Sequence, residues 1–133
     1  MKLTNNMLYW VLIAATLTFI LYQKGIIMVN YKNVDAKQAY AFYHDNNTTL
    51  LDVRTIEELK TDGMIEGALH IPLQALNKNI GKLRPYKGKK IVVYCRSGSR
   101  SIAASRILSS AGFKTYNLTG GINEWKKQKL PLR

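Results

Sequence analysis

The period of the apolar positions changes along this chain, and each change marks an element. Residues 7–22 carry no charge, and their only hydroxyl-bearing aliphatic residues are Thr16 and Thr18. As a helix these residues rise about 24 Å, slightly short of a hydrocarbon core of about 30 Å. Asn5, Asn6, Tyr9, Trp10 and Tyr22 suit the two interfaces, so the pattern predicts a single membrane span. A cleaved leader would begin similarly, with Lys2 ahead of an apolar run. No small-x-small pattern follows Tyr22, however; Gln23-Lys24-Gly25-Ile26-Ile27 stands there, which favours a retained anchor.

From Val29 the pattern is that of a folded domain. Gly25 and the polar residues 30–33 read as linker and edge. Asp35 is an N-cap for a helix over 36–44, with Ala39, Tyr40 and Tyr43 as its apolar stripe. Residues 48–53 read as a buried strand. Thr55 and Glu58 form a capping box for a short helix. Residues 68–71 predict a strand stopped by Pro72, 73–83 an amphipathic helix, and 84–90 a solvated turn. A strand over 91–94 and a helix over 101–111 follow, the latter with Ile102, Ala103, Arg106 and Ile107 at helical spacing. Gly112 is a helix stop, 115–118 a strand, and Gly120-Gly121 a tight turn into a last helix holding Trp125. Strands alternating with helices predict an α/β fold, an open and mainly parallel sheet with helices on both faces. The expected division is 1–28 as anchor and short linker and 29–133 as one domain. In such a sheet, function belongs beyond the carboxyl ends of the strands.

Charge sharpens this picture. The net charge is +12, and no Asp or Glu occurs between Gly67 and Asn123. That half of the chain carries a positive field that attracts anions. For the lysines outside the 95–101 loop, a solvated basic surface beside an anionic membrane is an equally good account. Lys24, Lys32 and Lys37 outweigh Lys2 across the span, which orients the domain toward the cytoplasm. Basic residues interleaved with aromatics are lacking, so no nucleic acid is expected as partner.

The candidate chemistry lies in Cys95-Arg96-Ser97-Gly98-Ser99-Arg100-Ser101. Cys95 is the one cysteine, which excludes an intramolecular disulfide and the usual cysteine-based zinc sites. No metal-ligand spacing, nucleotide loop or internal repeat occurs, and no cofactor is expected. Cys95 falls where a strand pattern gives way to a helical one. Small residues at a helix start leave backbone N–H groups unpaired, and these together with the helix dipole form an anion cradle. With Arg96 and Arg100 alongside, the thiol is expected to have a lowered pKa. A lone buried cysteine is ordinarily only a small apolar residue; the glycine, the two arginines and the strand–helix junction change that reading. Asp52 and Arg54 read as structural, holding loops together with Glu58. His44 and His70 are isolated, Tyr94 and Trp125 read as core or pocket wall, and Gly98, Gly120 and Gly121 meet backbone demands.

Four motifs in order resemble a single-domain rhodanese of the thiosulfate sulfurtransferase type: Leu50-Leu51-Asp52-Val53-Arg54-Thr55-x-Glu57-Glu58, Gly63 to Leu73 with Gly67-Ala68-x-His70-Ile71-Pro72, Val93 to Ser101, and Leu118-Thr119-Gly120-Gly121-x-x-x-Trp125. The resemblance runs from about Val29 to the C-terminus and leaves out the apolar segment. Met64-Ile65-Glu66 departs from the family's usual His-Ile-Pro. The resemblance implies a sulfurtransferase. Cys95 would take a sulfane sulfur from a small anionic donor such as thiosulfate, form a persulfide, and pass the outer sulfur to a thiol or cyanide acceptor. Arg96 and Arg100 would bind the donor, and the amides of residues 96–101 would hold the persulfide. Related cell-cycle phosphatases carry a Cys-x5-Arg loop, one residue longer than Cys95-x-x-x-x-Arg100. The alternatives are a tethered binding or sulfur-carrier module without turnover and, behind it, a phosphatase or arsenate reductase.

Overall fold

The computed structural model of the chain describes residues 4–23 and 30–132. The linker residue Gly25, the flanking Lys2 and Lys24, and the expected boundary between 28 and 29 lie outside the described residues. Helix α1 spans Asn5–Gln23, has no buried residue and is long and apolar enough to cross a membrane. Its two threonine hydroxyls are satisfied internally: Thr16 donates to the Leu12 carbonyl at 2.9 Å and Thr18 to the Ala14 carbonyl at 2.8 Å.

The remaining elements are β1 (Lys32–Val34), α2 (Ala36–Tyr43), β2 (Thr48–Asp52), α3 (Ile56–Asp62), β3 (Leu69–His70), α4 (Leu76–Asn79), β4 (Lys90–Tyr94), α5 (Ser99–Ser110), β5 (Lys114–Leu118) and α6 (Gly121–Lys127). The strands form one sheet in the order β1-β5-β4-β2-β3, and every pairing is parallel. Both faces are buried, as the apolar strand runs require. On one face Leu51, Ile91 and Val93 pack with Leu76, Leu83, Ala104 and Leu108 of α4, α5 and their connection; on the other Leu50, Val92 and Leu118 pack with Ala39, Ile122 and Trp125 of α2 and α6.

Several local expectations hold to within a residue or two. Asp35 caps α2, and Gln38 closes a capping box with it. Thr55 and Glu58 form the capping box of α3. Gly112, at φ 88°, ends α5 in a Schellman turn: its N–H reaches the Ser109 carbonyl at 3.0 Å and that of Phe113 the Leu108 carbonyl at 3.0 Å. The expected helix over 73–83 is corrected. It is three pieces, a 3-10 turn Leu73–Ala75, the single α-turn of α4 and a 3-10 stretch Ile80–Tyr86. Asn77, Asn79 and Gly81 are poor helix formers, the Asn79 amide competes for the Ala75 carbonyl at 2.8 Å, and Pro85 withholds a donor.

Candidate active site

The parallel sheet directs the end of β4 and the start of α5 to one rim, and residues 95–98 bridge them. Gly98 is the N-cap of α5 and takes φ 112°, a left-handed value that only glycine adopts without strain. This turn folds the loop around Cys95 Sγ. The Gly98 N–H points at the sulfur from 3.1 Å and the Ser101 N–H from 3.4 Å, while the thiol donates to the Ser101 hydroxyl at 3.5 Å; that hydroxyl donates to the Gly98 carbonyl at 3.1 Å and is free to turn its proton to the sulfur once the thiol ionises.

A second helix start grips the loop from behind. The N–H groups of Ile122 and Asn123 in α6 donate to the carbonyls of Cys95 and Arg96 at 2.9 and 3.1 Å. With its carbonyls held outward, the loop keeps its amides facing the sulfur. Gly121 makes the approach possible, because a Cβ there would stand 2.5 Å from both carbonyl oxygens.

Burial pushes the Cys95 thiol up, yet the net shift is downward, because the Ser101 hydroxyl and the amides of Ser101, Gly98 and Ser97 stabilise the thiolate more. The lowered pKa expected of the thiol is found; the loop's own donors lead the causes that lower it, and the Arg100 charge also couples to the thiolate. Arg96 is exposed. Arg100 gives its two terminal nitrogens to Glu58 at 2.7 Å each, and that bond comes first among the causes that raise its own pKa, ahead of the thiolate charge. Cys95 itself has 0% exposure. Of the other loop residues, Ser97 and Ser99 are exposed while Gly98 and Ser101 are buried.

Asp52 and Arg54 are fully buried and bonded to each other, with Arg54 Nη2 2.8 Å from Asp52 Oδ2 and 2.6 Å from the Gly63 carbonyl. Arg54 also reaches Asp62, which is paired with Lys126 of α6. This network ties α3 to β2 and α6, the structural role expected of it. Glu58, expected beside Asp52 and Arg54, instead joins Arg100; no local pattern links residues so far apart. His70 donates from Nε2 to the Arg54 carbonyl at 2.7 Å, and His44 stacks edge-on against Tyr40 and Tyr43. Tyr94 and Trp125 are core residues; the Tyr94 hydroxyl receives the Ile65 N–H and the Trp125 indole donates to the Pro131 carbonyl. Among the described residues no group of side chains is arranged to hold a metal. The arrangement is a buried thiol whose anionic form is favoured by the surrounding amide donors, with Arg96 and Arg100 near it.

Comparison with known proteins follows the same lines. A family model described as the rhodanese-like domain matches residues 35–128. A sulfurtransferase of Allochromatium vinosum is 37% identical over 84 residues, covering 62% of this chain and 76% of that protein. A rhodanese domain-containing protein of Drosophila melanogaster is 34% identical over 92 residues, or 60% of this chain and 83% of its own length. Among solved structures, a rhodanese-related protein from Thermoplasma volcanium superposes with a TM-score of 0.71 at 32% identity, covering 77% of this chain and 98% of that one.

Proposed function

The chain belongs to the rhodanese-like domain family, and from that premise we propose that it is a sulfurtransferase tethered to a membrane. In this reading residues 1–28 are anchor and linker, with the bilayer crossed through residues 7–22, and residues 29–133 form the catalytic domain on the cytoplasmic side. The observation that carries the proposal is the convergence of the Gly98 and Ser101 N–H groups and the Ser101 hydroxyl on Cys95 Sγ.

The Cys95 thiolate attacks the outer sulfur of thiosulfate or a similar anionic donor. A new S–S bond forms, the donor's S–S bond breaks, and sulfite leaves with the bonding pair. The persulfide's terminal sulfur keeps one negative charge, which the amides of residues 96–101 hold in place of the thiolate's. Arg96 and Arg100 attract the donor to the rim. A thiolate or cyanide then bonds to the outer sulfur and the Cys95 thiolate is regenerated.

Such transfers need no proton donor, because sulfite leaves as a stable anion. This separates the proposal from phosphatase chemistry, where an alkoxide leaving group calls for a general acid. Glu58, the carboxyl that Arg100 holds at the loop, has its pKa lowered to about 2 by the Arg100 hydrogen bonds and is therefore ionised near neutrality. It has no proton to give.

The test is intact mass of the full chain before and after thiosulfate, followed by cyanide. A gain of about 32 Da, one sulfur atom, mapped to Cys95 and discharged as thiocyanate, is the expected result for nucleophilic catalysis. A second reading, a binding module without turnover, draws on the 0% exposure of Cys95, since a donor reaches Sγ only when its surroundings give way. Failure of thiosulfate and other sulfane donors to load the reduced, folded protein would favour that module.

A further inference from the structure

The sheet end opposite Cys95 concentrates lysine. β1, β5 and β4 are neighbours, and each begins with one: Lys32, Lys114 and Lys90, the last two being partners across the β4–β5 ladder. Lys87 and Lys89 stand in the connection that enters β4 at the same end. Three of the five are positioned over aromatic rings: Lys87 at 4.7 Å from the Phe113 centroid, Lys89 at 5.7 Å from Tyr86 and Lys90 at 4.5 Å from Phe42. Lys87 also donates to the Ala111 carbonyl at the end of α5, at 2.7 Å. None of the five is paired with a carboxylate among the described residues, whose ion pairs involve Arg54, Arg100 and Lys126. Of the carboxylates in the connections arriving at this end, Asp45 leads into β2, the neighbour of β4, and Glu66 precedes the edge strand β3; neither forms an ion pair with the five lysines. The result is a cluster of ammonium groups over three adjacent strands, three of the five held in place by rings and a helix end.

The chain enters the domain at this same end. Eight residues, 24–31, separate α1 from β1, and eight residues reach at most about 28 Å when extended. With α1 in the bilayer, Lys32 begins the domain within about 28 Å of the headgroups, and the parallel strands carry Cys95 to the other end of the sheet.

We propose that the end of β1-β5-β4 bearing Lys32, Lys87, Lys89, Lys90 and Lys114 docks on anionic phospholipid headgroups, turning the Cys95 loop away from the bilayer toward soluble sulfur donors and acceptors. The inference rests on the membrane-anchor part of the proposed function and is independent of the sulfur chemistry. A lysine at an anionic surface strengthens attachment by roughly fivefold, so several acting together outweigh the random orientations of a tethered domain. Duplex nucleic acid is the competing polyanion; the tether beside the lysines favours lipid.

The full chain, reconstituted in nanodiscs of phosphatidylglycerol or of phosphatidylcholine, is labelled with a lysine-acetylating reagent and mapped by mass spectrometry. Docking slows labelling of Lys32, Lys87, Lys89, Lys90 and Lys114 by about fivefold or more in the anionic discs. Lys126 and Lys127, in the helix that backs the Cys95 loop, label alike in both lipids. The protection fades toward about 1 M salt, where the screening length falls to about 3 Å. The triple variant K89Q/K90Q/K114Q labels at Lys32 and Lys87 alike in the two lipids. Equal labelling of the wild type in both lipids, equal protection of Lys126 and Lys127, failure of the chain to enter discs, or equal protection by duplex DNA in phosphatidylcholine discs would each overturn the proposal. Thiocyanate formation by the same discs is measured in parallel, so loss of sulfur transfer with lipid-dependent protection intact tells against the chemistry and leaves the docking face standing.

Discussion

Glu58 in α3 accepts a hydrogen bond from each terminal nitrogen of Arg100 in the first turn of α5, both at 2.7 Å, across 42 residues of sequence. The carboxylate also receives the Thr55 N–H at 2.9 Å, so one side chain both caps its own helix and holds the arginine at the Cys95 loop. Arg100 is thus presented as half of a neutral pair.

Removing Arg100 should therefore do more than remove a cation. Arg100→Ala leaves the Glu58 carboxylate unpaired at the mouth of an anion site. KM for thiosulfate should rise roughly tenfold, within the range for charges that act as a pair. The double variant Glu58→Gln/Arg100→Ala should recover much of that loss. Steady-state kinetics of the four-member cycle measure the coupling, and strict additivity would show that the pair does not govern donor entry.

The same pair makes stability depend on acid. Glu58 has its pKa lowered from 4.5 to about 2, first by the Arg100 hydrogen bonds and then, against the cost of burial, by Thr55. A carboxyl depressed in the folded state stabilises fully above its unfolded pKa and loses that contribution as pH falls through the folded one. The window is therefore from about pH 4.5 down to about 2. Chemical denaturation of the wild type and Glu58→Gln should differ by about 1–2 kcal/mol at pH 7 after allowance for solvent screening, with the difference shrinking across this window.

The thiolate is held chiefly by Ser101 and the loop amides, so Ser101→Ala should raise the Cys95 pKa. Alkylation rate against pH reports the shift directly. Sulfur transfer at neutral pH should fall by roughly 10–100-fold, the cost of one hydrogen bond to a charged group. Arg96→Ala, by contrast, should raise KM for the donor and leave the alkylation profile in place. An unmoved profile in Ser101→Ala would remove the hydroxyl from the activation argument.

Gly121→Ala should cost far more than the addition of one methyl group at a helix start suggests, because Gly121 is buried against the loop. The new Cβ would meet the Cys95 and Arg96 carbonyls at 2.5 Å, in a residue with φ 57°. A loss of about 2–4 kcal/mol is expected from combined clash and backbone strain, with a Tm fall of more than about 10 °C. Gly67→Ala is the control: its φ is 80° but no atom lies within 4 Å of the added Cβ, so only the backbone cost of about 1 kcal/mol applies.

Much of this arrangement was legible in the sequence because it is local. The capping residues Asp35, Thr55 and Glu58, the stop at Gly112 and the strand–loop–helix around Cys95 depend on neighbours a few residues away. The 73–83 segment was misread for a related reason: its apolar spacing suggests a helix, but Asn77, Asn79, Gly81 and Pro85 weaken the backbone bonds that a continuous helix needs. Periodicity reports which side chains are buried and leaves open how the backbone between them is bonded.

The sequence by itself determined the alternation of strands and helices, the apolar N-terminal helix and the anion-cradling character of the cysteine loop, since each follows from hydrophobic period, helix termini and glycine freedom over short spans. Tertiary structure alone decided that Glu58 takes Arg100, that the start of α6 holds the loop carbonyls of Cys95 and Arg96, and that the lysines of β1, β5 and β4 gather at one end of the sheet. Those relationships join residues that are distant in sequence, and they arise only when parallel strands are ordered side by side and every strand start and every strand end is brought to its own rim.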